Sequence, residues 1–230
     1  MHSFAHHHHR KSGEEQAGVT RGHVINWGWR YDLMLWWSNL MLHGKWQVLQ
    51  QMIVDLAQFH AGEAVLDVGC GTGTLALEAY ACIRPTGHVA GIDPGPKQIA
   101  RARSKAKRAG LPIDFQIGVI EQLVFPDQSF DVVLSTFMMH VLPDDLKRQG
   151  LSEIARVLKP GGRLLVVDTR RPEEHDQSGR LVHTGPWNSG VQDQPHLLQE
   201  AGFSQIESGK VETGETRLPE IGFVLARRLS

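Results

Sequence analysis

The sequence contains little cysteine, no long apolar run and no excess of charge of either sign. Its two cysteines, Cys70 and Cys82, fit free thiols in a reducing compartment better than a disulfide framework. The longest apolar stretch, residues 33–37, is far shorter than the roughly 20 residues that a membrane-spanning helix needs. The net charge of −1 gives no bulk attraction to nucleic acid or to an anionic membrane. We therefore expect a cytoplasmic protein without a transmembrane segment.

The sequence does contain enough apolar material for one core. Its 230 residues are 41% hydrophobic, which fits one α/β domain with added segments better than two full domains. The polar start, residues 1–22, carries His2 and four consecutive histidines at 6–9. A built metal site would need carboxylate or cysteine ligands at suitable spacing, and none accompanies the run. We predict a disordered leader and no metal site.

Residues 23–60 predict two helices rich in tryptophan, with five of the six tryptophans between residues 25 and 46. From 31 to 42 the pattern is apolar almost all round, so we expect this helix to be covered on more than one side. The second helix, 46–59, has one apolar face. The pair either packs on the domain or forms a lid over an apolar acceptor, with the tryptophans as walls.

The central feature is an apolar strand, 64–68, followed by a turn with glycine at alternate positions and then a helix, 74–83. Glycines allow a turn in which a ligand approaches bare backbone, and Asp67 adds an acceptor beside the turn. Residues 71–76 also satisfy the dinucleotide fingerprint. Asp93, at the end of the next predicted strand, suits a ribose hydroxyl in either case. At this point nicotinamide or flavin binding and binding of another small polar ligand all stay open.

The rest of the chain continues the alternation of strands and helices. We predict strands at 88–93 and 113–117, a helix opening at Gly95–Pro96, and a turn that runs into a fourth strand within 125–136. Residues 158–168 predict a helix end, a turn at 160–162 and the fifth strand. The tail predicts a helix at 196–201 and an antiparallel hairpin, 204–207 with 221–226. The basic residues of the 96–109 helix are interpreted as a solvated face rather than a nucleic-acid patch.

Four segments together resemble class I S-adenosylmethionine (SAM)-dependent methyltransferases. They are the turn Asp67-Val68-Gly69-Cys70-Gly71-Thr72-Gly73, the segment Phe125-Pro126 through Phe130-Asp131-Val132-Val133, the Pro160-Gly161-Gly162 turn with its strand, and Tyr31-Asp32-Leu33-Met34 with Gly44 and Trp46. The last segment is similar to ubiquinone/menaquinone-biosynthesis C-methyltransferases. The resemblance implies a Rossmann-like, seven-stranded, mostly parallel sheet with its last strand antiparallel, helices on both faces and an N-terminal helical lid. It divides the chain into the leader (1–22), the lid (23–60) and a SAM-binding domain (61–230).

The resemblance also implies the cofactor site. Gly69, Gly71 and Gly73 would surround the methionine part of SAM, with Asp67 and Thr72 beside it, and Asp93 would bind the ribose. Val119 and Ile120 would flank adenine, and Ser135 and Thr136 would lie next to the donor. Family members usually carry an aspartate where Val119 stands, so a hydrogen bond worth roughly 1 kcal/mol is missing unless a neighbour such as Glu121 replaces it.

For catalysis we expect positioning to matter more than covalent chemistry, because methyl transfer is an in-line displacement. Tyr31 is predicted as a lid contact near the methyl group. His140 is either a general base or a buried, capping histidine. Residues 169–195, with Arg170, Arg171, His175, His183 and Trp187, form either a cover over the acceptor pocket or a surface loop.

The predicted function is methylation of a small or medium, largely apolar acceptor. Residues 135–138 lack the tetrapeptide typical of amino methyltransferases that act on bases, so nucleic acid is not an expected partner. A non-catalytic SAM-binding regulator and a nicotinamide-dependent oxidoreductase are the alternatives. The acceptor atom and the oligomeric state are not predicted.

Overall fold

The computed structural model describes residues 20–171, 190–212, 214 and 219–229. Within this part of the chain, seven strands form one sheet: β1 (Ala64–Val68), β2 (His88–Asp93), β3 (Asp114–Ile117), β4 (Phe130–Thr136), β5 (Leu158–Thr169), β6 (Phe203–Lys210) and β7 (Ile221–Arg228). The strand order is β3-β2-β1-β4-β5-β7-β6. β1 to β5 pair in parallel, and β7 is antiparallel to both of its neighbours. The predicted sheet is confirmed, with its last strand antiparallel.

Six α-helices accompany the sheet in the described residues: α1 (Trp29–Met41), α2 (Lys45–Ala57), α3 (Thr74–Ile83), α4 (Pro96–Ala109), α5 (Asp144–Val157) and α6 (Gln194–Glu200). One core cluster packs α2, α3 and α4 on one face of the sheet. A second cluster packs α5 and α6 on the other face. Helices on both faces explain why the central strands are continuous apolar runs, since both of their sides are buried.

The predicted turn before the fifth strand is found as an irregularity inside it. Leu158 already pairs with Phe130, and the register then shifts so that Arg163 pairs with Val132. Gly161 lies in the turn between them with a φ of +73°, a conformation that glycine adopts without strain. The strand therefore begins before this turn, at Leu158, where the sequence predicted the end of a helix.

The expectation that the first helix is covered on more than one side is wrong. No residue of α1 is buried, and its tryptophans are among the most exposed large apolar side chains. The leader up to residue 19, including His2 and the histidines at 6–9, lies outside the described residues, as do His175, His183 and Trp187. The division into leader, lid and domain stays a prediction.

The carboxyl ends of β1, β2 and β4 meet where the strand order reverses, between β1 and β4. In open α/β sheets this switch point leaves a crevice in which ligands bind. Among the described helices, none is both long and apolar enough to cross a bilayer.

Candidate cofactor and active site

The turn after β1 is built on left-handed glycines. Gly69, Gly71 and Gly73 have φ values of +76°, +54° and +77°, which side-chain-bearing residues rarely adopt. The amides of Gly69 and Cys70 both donate to the Ile92 carbonyl at 2.9 Å, which ties the turn to the end of β2. Burial raises the pKa of the Cys70 thiol well above its usual range, so this cysteine is not a nucleophile at neutral pH.

The three glycines serve different purposes. A Cβ on Gly71 would face open space, with its nearest neighbour, Gln98 Nε2, at 3.9 Å. A Cβ on Gly73 would lie 2.6 Å from Phe115 and 2.9 Å from Ala102, so this glycine permits close packing of α4 and β3. A Cβ on Gly69 would lie 2.8 Å from Met138 Cγ, which fills the space that the sequence predicted for a ligand.

Two carboxylates lie side by side at this turn. Asp93 Oδ2 accepts from the Gly71 amide at 3.0 Å and its Oδ1 from the Gly95 amide at 2.8 Å. Burial nevertheless raises the pKa of Asp93 to about 6. Asp67 is 1% exposed, and its Oδ1 has no hydrogen-bond partner among the described residues. Burial and the charge of Asp93 raise the pKa of Asp67 to about 7. Such a pair attracts a cationic or hydrogen-donating ligand.

A small apolar pocket opens beside these carboxylates, at the ends of β1 and β2. Val119 and Ile120, predicted to flank adenine, line it together with Ile92 and Leu142. Glu121 also lines the pocket, and its buried Oε2 has no partner within the described chain. The pocket therefore offers apolar walls and one acceptor unsatisfied within the described chain, which suits an apolar ring with an exocyclic amino group.

Ser135 and Thr136 stand apart from this pocket. Ser135 is fully buried and lies between Val68 and Val166 in the sheet, and its hydroxyl has no partner in the described residues. Neither residue lines the pocket. Their predicted place next to the donor stays a prediction.

Comparison with known proteins decides between the interpretations that the glycine turn left open. Residues 65–162 match the family model for a methyltransferase domain. The chain is 38% identical over 143 residues to a protein named demethylmenaquinone methyltransferase from Listeria welshimeri, a match that covers 62% of this chain and 58% of that protein. Residues 65–162 are a class I SAM-dependent methyltransferase domain.

Solved structures share the fold of this methyltransferase domain. A SAM-dependent methyltransferase from Aquifex aeolicus superposes with a TM-score of 0.63 at 22% identity, covering 78% of this chain and 89% of that one. The [4+2]-cyclase SpnF superposes with a TM-score of 0.65 at 22% identity, covering 80% and 82%. The chain spans somewhat more than half the length of the curated relative that it matches, 58%.

The segment before α2 reaches the methyltransferase turn through Asp32, a residue to which the sequence assigned no role. Asp32 accepts from Thr72 Oγ1 and from Arg101 Nε, both at 2.5 Å, and Lys105 Nζ lies 3.6 Å away. Burial pushes the pKa of Asp32 upward, but the hydrogen bonds from Thr72 and Arg101 outweigh burial and lower it. Thr72 thus binds α1 to the glycine turn through its hydrogen bond to Asp32. The interpretation of α4 as a wholly solvated basic face is wrong for Arg101 and Lys105.

Tyr31, the predicted lid contact, is half-buried beside Asp93. Burial and the charges of Asp93 and Asp32 raise the pKa of its phenol. Tyr31 is therefore neutral at physiological pH, so it can donate a hydrogen bond but cannot serve as a base, and its predicted contact near the methyl group stays a prediction.

His140 lies in a single 3-10 turn, Met139–Val141, directly after β4. Its Nδ1 lies 2.6 Å from Asp168 Oδ1, and its backbone amide donates to Asp168 Oδ2 at 3.0 Å. Asp168 is 1% exposed and ends the run of apolar residues in β5. The Asp168 carboxylate can only accept, so in the neutral ring it favours the tautomer with the proton on Nδ1. The arrangement fits an oriented histidine, and its role as a base stays a prediction.

Proposed function

We propose that this protein transfers the methyl group of SAM to a small, largely apolar acceptor by in-line displacement. The observation that supports it most is Asp67, a buried carboxylate at the end of β1, just before the glycine turn, whose Oδ1 has no partner among the described residues. Burying a carboxylate without a partner costs several kcal/mol. A ligand with positive charge would relieve that cost, and SAM carries both a sulfonium and an ammonium group.

The other residues of the site fit the remaining parts of the same ligand. Asp93 has lone pairs left after its two backbone hydrogen bonds, so it would accept from the ribose hydroxyls. The apolar pocket would hold adenine between Val119 and Ile120. Glu121 Oε2 would accept from the adenine amino group and so replace the aspartate that Val119 displaces.

When bound, SAM supplies an electrophilic methyl carbon, so the chain needs no covalent intermediate. Its own residues orient the donor and exclude water, which is how positioning accelerates a displacement. Tyr31 would donate a hydrogen bond over the donor, and His140 would take a proton where the acceptor still carries one.

An apolar acceptor is supported by the relative named demethylmenaquinone methyltransferase, so a quinol of that type is the first acceptor to test. The predicted tryptophan walls do not support it, because Trp29, Trp36 and Trp37 are 60%, 59% and 56% exposed and none of the three lines the apolar pocket.

The test begins with calorimetric titration of SAM and S-adenosylhomocysteine into the full chain, followed by a labelled-methyl screen of acceptors. We expect binding of both ligands and at least about tenfold weaker binding in Asp93→Ala, since hydrogen bonds to a charged group contribute about 1.5–3 kcal/mol. Asp114→Asn, an exposed aspartate at the start of β3, is the control. Absence of binding at millimolar ligand would overturn the proposal.

A SAM-binding protein without methyl transfer is the second candidate, because a structure named for a [4+2]-cyclase shares this fold. It would bind SAM with the same dependence on Asp93 and show no labelled product with any acceptor.

A further inference from the structure

Helix α1 presents its apolar side to solvent. Trp29, Leu33, Trp36 and Leu40 share one stripe of the helix, and Met34, Trp37 and Met41 form the adjacent stripe. These seven side chains are 40–60% exposed. The reverse is normal for a helix on a domain surface, where the polar side faces water.

Polar contacts hold the opposite side of α1 against the domain. Asp32 accepts from Thr72 and Arg101, and Tyr31 lies beside Asp93. Near the end of the helix, Asn39 Oδ1 accepts from the Gln47 amide at 3.3 Å. The outward direction of the tryptophans is therefore fixed by specific hydrogen bonds and is not the result of a helix without contacts.

Positive charge flanks this apolar face. The adjacent helix α4, Pro96–Ala109, carries six lysines and arginines and no aspartate or glutamate, and two of the six, Arg101 and Lys105, pair with Asp32 of α1. The groove between α4 and the start of α1 contains Arg30, Lys97 and Arg101 and no carboxylate among its lining residues. The overall charge of −1 does not reveal this local excess of positive charge. Physiological salt screens the attraction of each charge beyond about 8–10 Å, so a membrane responds to the nearby charges and not to the net charge.

We propose that α1, with the basic side of α4 beside it, docks on an anionic lipid surface. At 13 residues α1 is about 20 Å long, too short to span a bilayer but suited to lie in its interface. Tryptophan is enriched at the interface between the headgroups and the hydrocarbon, and lysine and arginine add attraction to anionic headgroups. An acidic protein would be attracted by the positive charge, but acidity alone does not explain what would cover the apolar stripe. A nucleic acid would also be attracted by the charge, but it has no apolar surface for the stripe.

Docking in this way would bring the methyltransferase site to the membrane. The same helix that faces the lipid contacts the glycine turn through Asp32 and Thr72. An apolar acceptor dissolved in the bilayer would then reach the donor without crossing water. This consequence rests on the proposed function, whereas the docking itself does not.

The experiment is flotation of the full chain with vesicles of phosphatidylcholine, with and without phosphatidylglycerol. We expect the protein to float with the anionic vesicles, less so as salt rises, and its tryptophan emission to shift to the blue. Trp36→Ser/Trp37→Ser should weaken binding at least about tenfold, because each large apolar side chain contributes roughly 1.5–3 kcal/mol when buried. Lys107→Glu/Arg108→Glu should weaken it in the anionic vesicles only.

Matched controls separate docking from general effects. Arg148→Glu changes the same kind of charge on α5, on the other face of the sheet, and Val124→Ser changes an apolar side chain that is 53% exposed. Both should float like the unchanged protein. SAM titration without vesicles tests folding and the donor site independently, so failure of docking and failure of the proposed function are distinguishable.

Any of three outcomes would overturn the proposal. The first is a protein that does not bind either vesicle type, and the second is a Trp36→Ser/Trp37→Ser variant that floats as well as the unchanged protein. The third is a stable dimer that Trp36→Ser/Trp37→Ser dissociates, which would assign the face to a second copy of the chain.

Discussion

Helices α1 and α2 have the same length, but they meet the domain through opposite kinds of contact. Both have 13 residues. α2 buries Leu49, Ile53 and Ala57 in the core, whereas no residue of α1 is fully buried and the helix is held by Asp32. Apolar content alone therefore does not decide whether a helix is buried. The position of its polar anchors decides which side faces the domain.

The largest expected difference between the two helices is in the free energy of unfolding that is lost when one leucine on each helix is replaced by alanine. Leu49 is completely buried on α2, and Leu33 is 50% exposed on α1. Leu49→Ala should lower the free energy of unfolding by about 2–5 kcal/mol, because it leaves a cavity. Leu33→Ala should lower it by less than about 0.5 kcal/mol. Urea unfolding with an unchanged m-value measures both, and equal losses would mean that α1 is covered in solution.

The same comparison extends to two aspartates, since Asp32 is paired and Asp67 has an unpartnered oxygen in the described structure. The folded-state pKa of Asp67 is raised to about 7, so the folded protein holds a proton that the unfolded chain has lost. Asp67 therefore lowers stability as pH rises from its ordinary pKa of 3.8 towards 7. A bound cation reverses this preference and expels the proton.

SAM affinity should accordingly rise about tenfold between pH 6 and 8, as Asp67 ionises. Asp67→Asn should remove most of this rise, weaken binding at pH 8 at least about tenfold and raise the stability of the free protein there. Asp93, with its pKa raised to about 6, contributes the part of the rise that remains. Calorimetry at several pH values measures the profile, and an unchanged profile in Asp67→Asn would place the cation elsewhere.

Removing the charge of Asp32, which anchors α1 to the domain, should have an intermediate effect on the local stability of that helix. Asp32→Asn takes away the charge that Thr72 and Arg101 hold. Amide hydrogen exchange in residues 29–41 should accelerate about tenfold, since one charged hydrogen bond contributes about 1.5–3 kcal/mol. Exchange in α2 should not change, and Asp55→Asn, an exposed residue on α2, serves as control.

The pH dependence of the anchor has the opposite sign to that of Asp67. The pKa of Asp32 is lowered by its partners, so its stabilisation is complete above the ordinary value of 3.8 and is lost as pH falls through the lowered pKa. Exchange in α1 of the unchanged protein should accelerate at that end of the pH range. Acceleration in α2 at the same pH would indicate global unfolding instead.

Local pattern predicted the strands well and the contacts between distant residues poorly. β2 begins and ends at the predicted residues, and β4 lies within the predicted segment 125–136, because buried parallel strands are apolar runs bounded by turn residues. The direction of α1 could not be predicted, since helical periodicity is identical whichever side faces the core. Its anchor joins Asp32 to Thr72 across 40 residues of sequence.

The candidate site shows the same division. The glycine turn and Asp93 were found from the sequence because left-handed backbone and an acidic strand end leave a local signature. The packing role of Gly73 depends on Phe115, 42 residues later, and the orientation of His140 depends on Asp168 in another strand. The signal for Glu121 was present as a carboxylate two residues after Val119, and its burial at the pocket could only come from the fold.

The smallest expected effect concerns Met138, which lies between the glycine turn and the pocket. Its Cγ is 2.8 Å from the point where a Gly69 Cβ would stand, so it fills the bare space beside that glycine. Phe137 before it has a φ of +53°, a strained value for a residue other than glycine.

A ligand at Gly69 must displace Met138, and the rotamer freedom of one such side chain is worth about 0.5–1.5 kcal/mol. Met138→Ala should therefore strengthen SAM binding about threefold, while Met52→Ala on α2 leaves it unchanged. Weaker binding in Met138→Ala would mean that this side chain contacts the ligand and does not block it.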